Sequence, residues 1–132
     1  MNFHHIGIIV KDLKLGELEL KKFSNLRRVS KKIIIDKKIG VKILFLKSTH
    51  HPLIELISPL KKNSPISLTL SKNINILNHL AYTSKNLNYD IKKLKEKGLI
   101  QITPPTPAKA FKEKNVVFFL SRLNFIIELI EK

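Results

Sequence analysis

Apolar positions in this chain come in short bursts set between lysine-rich spacers, and the bursts switch between two periods. "FHHIGIIV" (3–10) is short, apolar and β-branched, which predicts a strand. "KDLKLGELELKKF" follows with Leu13, Leu20 and Phe23 at helical spacing and Asp12 placed to cap, with Gly16 as a weak point. "LRRVSKKIIID" (26–36), "VKILFLKS" (41–48) and "PLIELISPL" (52–60) read as three further strands, the first two joined through "KKIG". A linker, "KKNSPISLTLSKN" (61–73), comes next.

After the linker the same order begins again. "ILNHLAYTS" (76–84) predicts a strand, and "NLNYDIKKLKEKG" (86–98) a helix with Leu87, Ile91 and Leu94 on one face and Gly98 as its stop. "LIQIT" (99–103) is strand-like, "PPTPAKAF" reads as a proline-stiffened loop, and "NVVFFL" (115–120) and "NFIIELIEK" (124–132) complete the series. The chain is thus expected to hold two βαβββ modules, approximately 1–60 and 75–132, joined by a linker over 61–74 within one α+β domain.

Residues repeat along with the elements. "HIGIIVKDL" (5–13) overlays "HLAYTSKNL" (79–87), and "IELI" occurs at 54–57 and again at 127–130. His5 and Glu55 are 50 positions apart, His79 and Glu128 49. "FL" precedes each glutamate strand, at 45–46 and at 119–120. An internal duplication of this kind decides the architecture before any single residue does.

A glutamate inside a Leu/Ile run is the oddity that both halves share. Side chains on a strand alternate faces, so each half offers one imidazole and one carboxylate from strand interiors. Two neutral imidazoles (His5, His79) and two carboxylates (Glu55, Glu128) suit a divalent ion such as Co, Zn, Ni, Mn or Fe, with a ligand charge that balances it. A cation would also compensate carboxylates held in an apolar setting. Taken one at a time the same residues have plainer readings: a glutamate on a solvated sheet face, a histidine hydrogen-bonded in a core. Their matched placement in duplicated frames favours the metal. His4 is expected to point to the opposite face from His5. His50 and His51 fall in the turn before a strand, solvated or within reach of a substrate.

Composition narrows the classes. The chain has 132 residues, 43% of them hydrophobic, and no cysteine, which excludes disulfides, thiolate metal sites and a cysteine nucleophile. No apolar run approaches the roughly 20 residues of a membrane span, and the N-terminus does not read as a signal peptide, so a cytoplasmic protein is expected. The net charge is +15, but it is carried by scattered lysines, and only Arg27, Arg28 and Arg122 could read guanine in pairs of hydrogen bonds. Nucleic acid is therefore not the expected partner. Small anionic ligands are. Gly-rich phosphate loops, G-x-S-x-G and H-E-x-x-H are all absent.

"HHIGIIVKDL", "IELISPLKKNSPIS", "LNHLAYTSKNL" with "LKEKGL", and "VVFFL…FIIELIE" together resemble the vicinal oxygen chelate superfamily, and within it the methylmalonyl-CoA epimerases. The resemblance implies paired βαβββ modules forming a cupped, incomplete barrel, commonly a homodimer. It implies the same metal ligands, His5, Glu55, His79 and Glu128, and a small anionic substrate of acyl-CoA type. The implied reaction removes and returns a proton α to a carbonyl or thioester, with Glu128 as one proton carrier. The second carrier in that family is an acid before a typical "EQGV"; here "KKIGV" (37–41) stands there, and Asp36 is the nearest carboxylate. The loop 103–111 resembles the segment that shapes the substrate pocket. A glyoxalase-type lyase on the same ligands, and a non-catalytic small-molecule binder, are the alternatives.

Overall fold

A computed structural model describes residues 1–72 and 77–132. The order of elements is β1 (Asn2–Ile9), α1 (Leu13–Lys21), β2 (Arg27–Arg28), β3 (Ile34–Asp36), β4 (Val41–Ser48), β5 (His51–Pro59), α2 (Pro65–Ser71), β6 (Leu77–Ser84), α3 (Leu87–Glu96), β7 (Ile100–Gln101), β8 (Thr106–Ala108), a 3-10 turn (Lys109–Phe111), β9 (Lys114–Leu120) and β10 (Ile126–Glu131). The class is α+β. The chain forms two compact units, Ile6–Asn78 and Met1–His5 with His79–Lys132, so the units and the sequence repeat divide it differently.

In the unit Ile6–Asn78 the strand order is β2-β4-β5-β1, with β3 also on β4. The end of β1 runs parallel to β5, and Gly7 stands beside Glu55. Strands β4 and β5 are antiparallel, with Phe45 opposite Glu55. Alternation sends Leu44, Leu46, Ile54 and Leu56 to the other face, where they bury against Leu13 of α1 and Leu26. Asp12 caps α1 as expected, its carboxylate accepting from the Leu15 amide at 2.9 Å. Gly16 is more than a weak point. A Cβ there would come within 2.9 Å of Val10 Cγ1, so glycine lets the helix lie close. Phe23 lies beyond the helix and is 74% exposed, because α1 ends at Lys21 before the apolar face reaches it.

The unit Met1–His5 with His79–Lys132 has the order β1-β6-β10-β9-β7, with β8 also on β9. Strands β6 and β10 are parallel and place Ala81 beside Glu128, while β9 sets Phe118 opposite Glu128. The duplication is thus carried by hydrogen-bond register: each glutamate stands beside the small residue two positions past a histidine, and opposite a phenylalanine. Register also corrects one sequence match. Phe45 corresponds to Phe118, so the "FL" pairs at 45–46 and 119–120 are offset by one residue. Val117, Phe119 and Leu129 bury against Leu87 and Leu94 of α3. Helix α3 closes with Gly98 at φ 87°, the Leu99 amide on the Leu94 carbonyl and the Gly98 amide on that of Lys95.

Three expected boundaries differ. The strand 26–36 is two short strands, β2 and β3, both on β4. The linker carries helix α2, while its residues 73 and 74, like Ile76 of the expected fifth strand, lie outside the described residues. The proline loop holds β8 and the 3-10 turn, since Thr106 and Ala108 can join the β9 ladder around Pro107. Among the described residues no helix is long and apolar enough to cross a membrane.

Candidate metal centre

His5 ends the part of β1 that belongs with β6, His79 sits near the start of β6, and Glu128 lies at the middle of β10. All three are buried. The Nε2 atoms of His5 and His79 are 3.0 Å apart, and each lies 3.5 Å from Glu128 Oε2. Among the described residues these three form the cluster that could hold a metal ion. A point equidistant from atoms with those separations lies about 1.9 Å from each, close to the roughly 2.0–2.2 Å of zinc-type N and O bonds. The donor set therefore fits a divalent cation. Ala81, wholly buried beside Glu128, adds only a methyl group to the neighbourhood of the carboxylate.

The rings are held by their surroundings. Phe111, from the 3-10 turn, stacks on the His5 ring with centroids 5.9 Å apart and planes at 22°. Phe118 meets His79 edge-on at 5.7 Å. Residues Lys112 and Glu113, both left-handed at φ 56° and 64°, turn the chain from Phe111 into β9. The 103–111 loop thus reaches the site through Phe111.

His4 departs from expectation. Its backbone alternates away from His5, but its ring comes back so that Nδ1 lies 2.8 Å from His5 Nδ1. Were His5 Nε2 to give its lone pair to a cation, His5 Nδ1 would carry the proton and His4 Nδ1 would accept it, the tautomer a ligand needs. Strand alternation predicts only the direction of Cβ, so sequence reasoning missed this contact. The adjacent pair "HH" is the signal that could have found it.

Glu55, the remaining sequence candidate, is buried on β5 in the other unit, beside Gly7 and opposite Phe45. Asp36 is buried at the end of β3. Its Oδ1 accepts from the amides of Lys38 at 3.1 Å and Ile39 at 3.0 Å, so the carboxylate holds the turn into β4. His51 opens β5 and His50 precedes it; both line an open groove of about 1010 Å³ with Phe23, Arg27 and Lys47. Arg28 is committed elsewhere. It holds the buried carboxylate of Glu17 through Nε at 3.0 Å and Nη2 at 2.6 Å. This pairing with Arg28, against the opposing effect of burial and with help from Lys21, lowers the Glu17 pKa from 4.5 to about 2.

Residues 4–119 match the glyoxalase/bleomycin resistance protein/dioxygenase superfamily, and the chain belongs to it. No curated protein matches the chain by sequence. Among solved structures, a hypothetical protein of Bacillus halodurans C-125 is similar at TM-score 0.85 and 28% identity, covering 99% of this chain and 94% of that one. Methylmalonyl-CoA epimerase from Mycobacterium tuberculosis is similar at TM-score 0.82 and 21% identity, over 98% of this chain and 87% of its own. The Streptomyces coelicolor epimerase in complex with 2-nitronate-propionyl-CoA is similar at 0.81 and 16%, over 100% and 94%. At those two identities the likeness is one of fold.

Proposed function

We propose that this protein is a metal-dependent epimerase or isomerase acting on a small anionic carbonyl compound of acyl-thioester type. The observation that carries this reading is the convergence of His5 Nε2, His79 Nε2 and Glu128 Oε2 within 3.5 Å of one another. These residues would hold a divalent cation, with Glu55 as a fourth ligand that brings the ligand charge to −2. Bound there, the cation supplies positive charge for the oxygen of a carbonyl whose α-proton is leaving.

The chain's own residues do the rest. Glu128 takes the α-proton on one face, the role the family resemblance gives it. Phe111 and Phe118 pack against His5 and His79 and limit water around the imidazoles. His4 holds His5 in its ligating tautomer. Asp36 is the proposed second proton carrier. The anionic substrate suits a chain of net charge +15. A homodimer is the proposed assembly.

Metal analysis of the purified protein beside His79→Ala and Glu128→Ala tests the centre. Wild type should carry about one divalent ion per chain and the variants almost none; full occupancy in both variants would falsify the ligand set. Incubation of the metal-loaded protein with methylmalonyl-CoA in deuterated water tests the chemistry. Deuterium should enter the α-carbon, and Asp36→Asn should suppress inversion while keeping the melting temperature near wild type. Bound metal without exchange, together with turnover of a hemithioacetal, would replace the epimerase by a glyoxalase-type lyase.

A further inference from the structure

At the end of β5 the chain builds a second pocket, of about 460 Å³, lined by Lys37, Gly40, Leu60, Lys61, Asn63 and Ser64. Its frame is closely hydrogen-bonded. The Gly40 amide donates to the Asp36 carbonyl at 2.8 Å, the Leu60 amide to Gly40 at 2.9 Å, and the Ser64 amide to Lys61 at 3.1 Å. Ser67 Oγ also donates to the Lys61 carbonyl, at 3.2 Å. Gly40 sits at φ 80°, which favours glycine, and a Cβ there would stand 3.9 Å from Ser64 Oγ.

Ser64 is only 6% exposed, yet its hydroxyl has no hydrogen-bond partner among the described residues. The sequence "SP" suggests an N-cap for α2, but the Ser67 amide bonds the Ser64 carbonyl at 2.9 Å instead of the hydroxyl. A buried hydroxyl with no acceptor is costly, and folded proteins seldom leave one so. The other polar side chains on the wall are two lysines, for which no ion pair is found among the described residues, and Asn63, whose amide both donates and accepts. Among the described residues no carboxylate lines the pocket.

We propose that this pocket binds an oxyanion, the phosphate or carboxylate group of a small ligand. Ser64 Oγ donates the buried hydrogen bond, and Lys37 and Lys61 supply the charge. The proposal does not rest on the metal centre, whose clustered residues His5, His79 and Glu128 lie in the other unit.

Amide NMR titration with inorganic phosphate, and separately with acetate, tests it in the full chain. Saturable shifts should concentrate at residues 37–40 and 60–64. Ser64→Ala leaves the charge unchanged and should still weaken binding about tenfold, the scale of one hydrogen bond to a charged group. Lys37→Ala with Lys61→Ala should weaken it further and flatten its salt dependence. Tighter binding of phosphate than acetate assigns a phosphorylated ligand; the reverse assigns a carboxylate. Equal affinity for wild type and Ser64→Ala, with shifts spread over lysines throughout the chain, would overturn the site. So would a melting temperature for Ser64→Ala several degrees below wild type, since the hydroxyl would then have a structural partner. Unchanged metal content in Ser64→Ala keeps this result separate from that of the metal centre.

Discussion

The two units share a frame and use their buried polar groups differently. In the unit Ile6–Asn78, Glu55 faces away from a leucine core, Glu17 is clamped by Arg28, and Asp36 holds a turn. In the unit Met1–His5 with His79–Lys132, the matching frame brings His5, His79 and Glu128 to one point. Helix α3 there is tied by a hydroxyl–carboxylate hydrogen bond, Ser84 Oγ donating to Asp90 at 2.6 Å, where α1 has the Glu17–Arg28 ion pair. The lesson lies in β1. His5 belongs to the first half of the repeat, but it clusters with strands of the second. Duplication supplied equivalent positions, and the division of β1 between the units sets His5 beside His79 and Glu128.

The sharpest way to break this comparison is Glu55→Gln. If Glu55 completes the metal set, metal content should fall at least tenfold, as for loss of a direct ligand; content equal to wild type would confine the centre to the unit of Glu128. The next effect concerns the ion pair peculiar to α1. The pKa of Glu17 is about 2 in the folded chain against 4.5 for the free group, so its carboxylate stabilises the fold above about pH 4.5. That contribution is lost as pH falls toward 2. Acid unfolding of Glu17→Gln should lack this component, and denaturant midpoints between pH 5 and 2 will show it. The smallest effect is that of His4→Phe, which keeps the ring volume and removes the acceptor for His5 Nδ1. Metal affinity should drop about tenfold with little change in melting temperature. A melting temperature that falls while affinity stays would make His4 a packing residue.

Much of the centre was legible because it rests on strand periodicity. His5, Glu55, His79 and Glu128 were separable from their neighbours as the polar residues on apolar strands. Three of them do meet, with separations of 3.5 Å or less. The contacts of His4 and Phe111 were not legible. One depends on a side-chain torsion, the other on a turn made of two left-handed residues. Arg28 illustrates the same limit: eleven residues separate it from Glu17, and nothing in the intervening sequence announces the pair. At Ser64 the Ser67 amide bonds the carbonyl, and the buried hydroxyl is left with no partner among the described residues, which no sequence pattern announces.

By itself, the sequence determined the α+β class, the two helices with their caps at Asp12 and Gly98, and the duplicated histidine and glutamate positions. These follow from backbone periods of 3.6 and 2, which each segment obeys locally. Tertiary structure decided that Phe45 matches Phe118, that His5 joins His79 and Glu128, and that the Ser64 hydroxyl is buried with no hydrogen-bond partner among the described residues. Those outcomes depend on hydrogen-bond register and on distances between segments far apart in the chain, quantities that no local pattern encodes.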